Sequence, residues 1–159
     1  MTTPSKVPPK LEVPSEKVAV ILVDHGSRRA ESNDLLLDVV VAFRANSSWS
    51  IVEPAHMELA EPSIATAFGR CAEQGATLVI VFPYFLSPGR HWHEDIPRLA
   101  AEAAAAWPKI RHLVTAPLGL HPLMLQVIDQ RIAACLSRVA GDSTQCELCS
   151  DSTGCNLLP

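Results

Sequence analysis

Six histidines and five cysteines are few enough to weigh one by one. His25 lies in "VDHGSRR", where Gly26 permits a tight turn that bares the imidazole beside Ser27, Arg28 and Arg29. His56 and Glu58 fall in "HMELAEP", and "FPYFLSPGRHWHEDIP" packs Arg90, His91, Trp92, His93, Glu94 and Asp95 behind a run that reads as a strand. A neutral imidazole can hold a divalent metal or take a proton near neutral pH. Glu58 is a candidate proton acceptor or ligand, and in an extended chain His56 would share its face. Glu61, beside Pro62, favours a helix dipole instead. His91 and His93 point the same way if extended and diverge if helical, so one of the two is a bystander. Asp95 stands where a helix begins and reads as its cap. Trp92 reads as packing before it reads as a platform for a flat ligand. His112 reads as structural. For His121, directly before Pro122, capping and function stay open.

Histidine with carboxylate suits divalent iron, cobalt, nickel or zinc. The chain has no HExxH motif, no Gly-rich phosphate loop and no GxSxG elbow, which leaves the common hydrolytic and phosphate chemistries without a motif. Insertion of a metal into a tetrapyrrole fits the inventory better. It needs a weakly held divalent ion and acceptors for two pyrrole N–H protons. Arg28, Arg29 and Arg90 could pair with the carboxylates of an acidic macrocycle. Cys135, Cys146, Cys149 and Cys155 follow a C-x10-C-x2-C-x5-C spacing. Four thiolates suit zinc or an iron–sulfur cluster, and Cys135 could equally be a core residue. Cys71 reads as core.

These residues need elements to position them. "KVAVILV" at 17–23 is an apolar run suited to a strand buried on both faces. A helix follows, with Ser32 or Asn33 as its cap and Leu36, Val39, Val40 and Phe43 at helical spacing. "WSIVEPAHM" is a second strand interrupted by Pro54, and Pro62 opens a helix through Ala72 with Gly75 as its stop. "ATLVIVFPYF" is the third strand, "EDIPRLAAEAAAAW" a helix and "KIRHLVTAPLG" the fourth strand. The last helix runs from about Pro122 to Val139, with Ile128, Ile132, Cys135 and Val139 on one stripe. Strand and helix alternate four times, which predicts right-handed βαβ units and a parallel sheet covered on both faces. Ligands of such sheets gather at the carboxyl ends of the strands, where His25, His56, Glu58, His91 and His121 fall.

Composition sets outer bounds. With 48% apolar and 19% charged residues the chain reads as a soluble globule, and a net charge of −4 argues against nucleic acid. No apolar run reaches the roughly 18 residues of a membrane helix. Residues 1–16 read as a proline-rich disordered leader, 17–140 as one domain and 141–159 as a cysteine-bearing tail. The leader has neither a secretory core nor the Arg/Ser richness of a transit peptide, so the chain is cytosolic or an address has been removed. Without a secretory signal, clustered thiols favour metal over disulfides.

"VILVDHGSR", "HMELAEPSI" and "VFPYFLSPGRHWHEDIP" resemble the class II tetrapyrrole chelatases of the small CbiX type, over about Lys17 to Val139. The HGSR and GxHxxxDIP pair at this separation is the specific part, and the cysteine-rich tail resembles plant members. The resemblance implies a flavodoxin-like α/β fold, a four-stranded parallel sheet with helices on both faces, working as a homodimer. It implies insertion of Fe2+ into sirohydrochlorin with release of two protons. His25 and His91 carry over as metal-binding and catalytic residues, His91 because it fills the GxHxxxDIP position; Glu58 assists. For the tail it implies a [2Fe-2S] cluster on Cys135, Cys146, Cys149 and Cys155, zinc being the alternative. It also implies a plastid address. The rival readings are cobalt insertion into a related tetrapyrrole, and a non-catalytic metal or tetrapyrrole carrier or iron–sulfur redox sensor.

Overall fold

The computed structural model describes Pro14 and residues 17–142. The leader apart from Pro14, and Cys146, Cys149 and Cys155, lie outside the described residues. Among the described residues, those up to Gly119 form one compact unit and those from Leu120 to Asp142 a second.

In the first unit four strands pair in parallel in the order β2-β1-β3-β4: β1 (Val18–Asp24), β2 (Ile51–His56), β3 (Leu78–Pro83) and β4 (Arg111–Val114). Between them run α1 (Ala30–Asn46), α2 (Ile64–Glu73) and α3 (Ile96–Ala105), the last entered through a single π turn, His91–Asp95. β1 is paired on both sides, and its β-branched and aliphatic run is buried from Val18 to Val23. The two-residue strand period divides that run between two cores. Ala19, Ile21 and Val23 join Val79, Val81, Phe68 and Ile96 under α2 and α3, and Val20 and Leu22 join Val52, Leu36 and Val40 under α1. Ala100, Ala103 and Ala104 keep the α3 side thin enough for α2 and α3 to share one face. On the other face α1 leaves an apolar hollow of about 400 Å3, lined by Val20, Leu22, Phe43, Ile80 and Phe82 among others.

Three local expectations need correction. Pro54 does not interrupt β2, which pairs through it opposite Leu22. β2 is an edge strand, where a missing N–H costs no ladder bond. The α1 cap is Arg29, with no side-chain hydrogen bond, because Asn33 is spent on the turn before the helix: its amide donates to Ser27 O and its oxygen accepts from Ser27 N. Pro62 precedes α2 rather than opening it. Ser63 is the cap, accepting from Thr66 N at 3.2 Å.

In the second unit α4 (Pro122–Val139) has the expected bounds, and His121 is its cap, its ring Nδ1 accepting from Leu123 N. None of its residues is buried: Ile128, Ile132 and Val139 are exposed and Cys135 is half-buried. Cys71, by contrast, is fully buried on α2, as expected of a core thiol, and burial pushes its pKa up to about 12. Among the described residues no helix is long and apolar enough to cross a membrane.

Glu61 supplies the pH-dependent part of this framework. Its carboxylate accepts from Ser63 N at 2.8 Å and Thr66 Oγ1 at 2.9 Å, and the Ser63 bond first of all holds its pKa below the ordinary carboxylate value. A carboxyl whose pKa is lowered on folding stabilises the fold above its unfolded pKa and loses that stabilisation as pH falls through the folded one. Glu61→Gln is therefore expected to unfold more readily at neutral pH, by about 0.5 kcal/mol because the group is exposed, and to match the parent in strong acid. Denaturant melts at both pH values check this.

Candidate metal and acceptor site

β1 and β2 do not part where their ladder ends at Asp24 opposite His56. Met57 N donates to Asp24 O at 2.8 Å and Glu58 N to His25 O at 3.1 Å, so the two loops stay zipped for two further residues. Gly26 makes this possible. Its φ is +84°, and a Cβ there would stand 1.9 Å from Glu58 O. The turn carries His25 outward, and its Nε2 meets Glu58 Oε1 at 3.0 Å while Nδ1 faces Gly26 O at 3.1 Å. Both ring nitrogens thus face oxygens, and the ring donates to both only as the imidazolium.

The third strand end delivers the second imidazole. The π turn widens the helix start so that Ile96 N reaches back to His91 O. It sets His91 beside His25, ring centroids 5.1 Å apart and planes at 68°. His91 Nδ1 donates to Asp95 Oδ2 at 2.8 Å, leaving Nε2 free to face a metal. Asp95 therefore does not cap α3, where it makes no side-chain cap bond; it orients His91. The His91 bond is the first cause holding the Asp95 carboxyl below its ordinary pKa, with Arg90 and Arg98 adding to it. Phe85 lies 6.4 Å from the His91 ring, and Trp92 Nε1 donates to Thr115 O at 2.8 Å, pinning the turn to the chain beyond β4. A hollow of about 380 Å3 opens there, lined by Tyr84, Phe85, Leu86, Ser87, Gly89, His91 and Trp92.

The structure thus gathers His25, Glu58 and His91. It does not bring in His93, which is exposed with its ring against Trp92 at 4.4 Å, or His112, whose ring faces Phe68. His56 does not share the face of Glu58. It is 1% exposed and turned inward onto Asp24, because the chain bends out of the strand directly after it. Arg28 and Arg29 are exposed at the His25 turn, and Arg90, also exposed, pairs with Glu94 at 3.3 Å. Among the described residues no three His, Cys, Asp or Glu side chains form a ready-made metal cage. The gathered contacts are pairwise, which suits an ion held in passing. Sequence reasoning underrated Asp95 and left Asp24 unremarked. The available signals were the i,i+4 spacing of Asp95 from His91 and the place of Asp24 at the end of the central strand.

The sequence model of the CbiX family matches residues 19–135. The chain is 54% identical over 138 residues to the chloroplastic sirohydrochlorin ferrochelatase of Arabidopsis thaliana, covering 87% of this chain and 61% of that protein. It is 43% identical over 81 residues to the sirohydrochlorin cobaltochelatase of Methanocaldococcus jannaschii, covering 51% of this chain and 57% of the relative. The sirohydrochlorin chelatase SirB from Bacillus subtilis subspecies spizizenii, in complex with cobalt, superposes with a TM-score of 0.70 at 32% identity, covering 74% of this chain and 50% of that one. The chain thus spans between half and two-thirds of the length of these three relatives.

Gly26→Ala is expected to destabilise the fold by about 1–3 kcal/mol from backbone strain alone, with the contact against Glu58 added. Gly89→Ala, with open space around the added Cβ, is the control expected to stay within about 0.5 kcal/mol. Equilibrium denaturation of the pair measures the difference.

Proposed function

The chain belongs to the CbiX family, and from that premise we propose that it is a sirohydrochlorin ferrochelatase, inserting Fe2+ into sirohydrochlorin to give siroheme. The observation that carries the reading is the meeting of His25 and His91, each with its own carboxylate, at the carboxyl ends of β1 and β3. Fe2+ is a substrate here, so it must be held loosely. Two imidazole nitrogens with Glu58 beside them provide a borderline-hard set of that kind. As the ion enters the ring, two pyrrole N–H protons leave. Glu58 and the His25 ring, already sharing a contact of 3.0 Å, are the acceptors nearest the metal end. The aromatic wall of Tyr84, Phe85 and Trp92 offers a face to a planar ring. Arg28, Arg29 and Arg90, exposed on the loops that carry His25 and His91, would pair with its peripheral carboxylates.

The family match over 19–135 supports reading 17–140 as one chelatase domain although it spans two compact units, with 1–16 as a leader and 141–159 as a tail, and the plant relative supports a plastid location. Cys135, half-buried with a free thiol, would join Cys146, Cys149 and Cys155 in holding a [2Fe-2S] cluster. When bound, such a cluster supplies one-electron chemistry; zinc on the same thiols would be structural. A homodimer is supported by the apolar surface left open on each unit, the hollow beside α1 in the first and Leu123, Ile128, Ile132 and Leu136 of α4 in the second. Cobalt insertion is the reading closest to this one, favoured by the archaeal relative and by the cobalt in the Bacillus structure. A metal or tetrapyrrole carrier, or a redox sensor, is the reading of another class.

Siroheme absorbance with Fe2+ supplied anaerobically distinguishes these. His25→Ala and His91→Ala are each expected to lose about a hundredfold or more in turnover, the range for a group that handles protons or metal in the reaction. Undiminished rates in both variants would remove the site. A carrier would bind tetrapyrrole one-for-one without release of metallated product, and faster turnover at limiting Co2+ would favour the cobalt reading. Iron and sulfide assays on protein purified without air are expected to find a coloured cluster; a colourless protein with stoichiometric zinc would contradict it.

A further inference from the structure

Behind the exposed site lies a polar contact between a buried imidazole and a half-buried carboxylate that metal insertion does not use directly. His56 is 1% exposed, and its Nδ1 donates to Asp24 Oδ1 at 2.6 Å. A hydrocarbon of the same volume would fill that place without desolvating an imidazole and a carboxylate, so packing does not account for the pair. The surrounding bonds do. The same Asp24 Oδ1 accepts from Gly26 N at 2.9 Å, which sets the turn that aims His25. The main chain of Asp24 accepts from Met57 N, and His56 N donates to Pro62 O at 2.7 Å, closing the far end of the loop that carries Glu58. One carboxylate and one imidazole therefore tie together both loops whose tips meet at His25 and Glu58.

We propose that His56, acting through Asp24, is a positioning residue that holds His25 and Glu58 at metal-receiving separation. This rests on the reading of His25 and Glu58 as the metal end of the site. Without the Nδ1–H, the Asp24 carboxylate would face an apolar wall. It would turn toward water, release Gly26 N and let the His25 turn lose its aim.

The test compares His56→Asn, whose side-chain N–H stands near the Nδ1 position, with His56→Leu, of similar volume and without a donor. Each full-length protein is titrated with Co2+ alone and followed by visible absorbance, and the part of the signal lost in His25→Ala defines the site. Loss of a partner that orients a metal ligand costs about tenfold to a hundredfold in affinity. His56→Leu is expected to show that loss, and His56→Asn to stay within about threefold of the parent. In turnover assays kcat should fall in His56→Leu while the KM for the tetrapyrrole holds. Parental Co2+ affinity in His56→Leu, or equal losses in the two variants, would overturn the proposal, as would a Co2+ signal indifferent to His25→Ala. If circular dichroism shows His56→Leu unfolded, His56→Thr, too short to reach Asp24, replaces it with the same expectations. A parent protein that binds Co2+ at this site but never metallates sirohydrochlorin would sink the chelatase reading and leave the positioning role standing.

Discussion

The close approach of Gly26 to the Glu58 carbonyl is the constraint on which the rest depends. Parallel strands usually diverge once their ladder ends, because the chain must leave for a crossover. Here β1 and β2 stay hydrogen-bonded for two residues beyond Asp24 and His56, and only a residue without a side chain fits between them. The approach converts two loops into one rigid lip. That lip puts an imidazole and a carboxylate from different βα units 3.0 Å apart. The sheet order then decides what else can reach them. β1 lies between β2 and β3, so the loop after β3 is the other neighbour of the His25 turn, and its π turn brings in His91.

Rigidity and exposure are divided between two shells. His25, Glu58 and His91 remain open to solvent, as groups that receive and release an ion must. Their orientation comes from the residues behind them: Asp95 on His91, the Asp24–His56 pair under the lip, and Trp92 bonded to Thr115. His91 thus has one ring nitrogen committed to a protein oxygen, whereas both ring nitrogens of His25 face oxygens. Asp95 stands four residues after His91, the ordinary neighbour spacing of a helix, and spends its carboxylate on that ring instead of on a cap.

Much of this was legible in the sequence. The apolar run of β1 announced a strand buried on both faces, the βα alternation announced the parallel sheet, and α4 came out with its expected bounds. The misreadings share a form: one local rule was overridden by another partner, across the sheet for Pro54 and within six residues for Asn33 and Asp95. Pro54 reads as a break until β2 is known to be an edge. Asn33 reads as a cap until Ser27 claims it, and Asp95 until His91 does. His56 reads as a partner of Glu58 under the two-residue strand period, but the strand ends at His56 itself, so the period no longer applies one step later. Strand neighbours such as those of Pro54 are set by register, which a single sequence carries only indirectly.

The central claim is that one ion sits between the rings of residues 25 and 91. Anomalous diffraction from crystals of the full-length protein loaded with Co2+ examines it most directly. The account predicts a peak about 2.1 Å from Nε2 of both His25 and His91. A peak bound by neither ring, or by His93 or His121 instead, would contradict it.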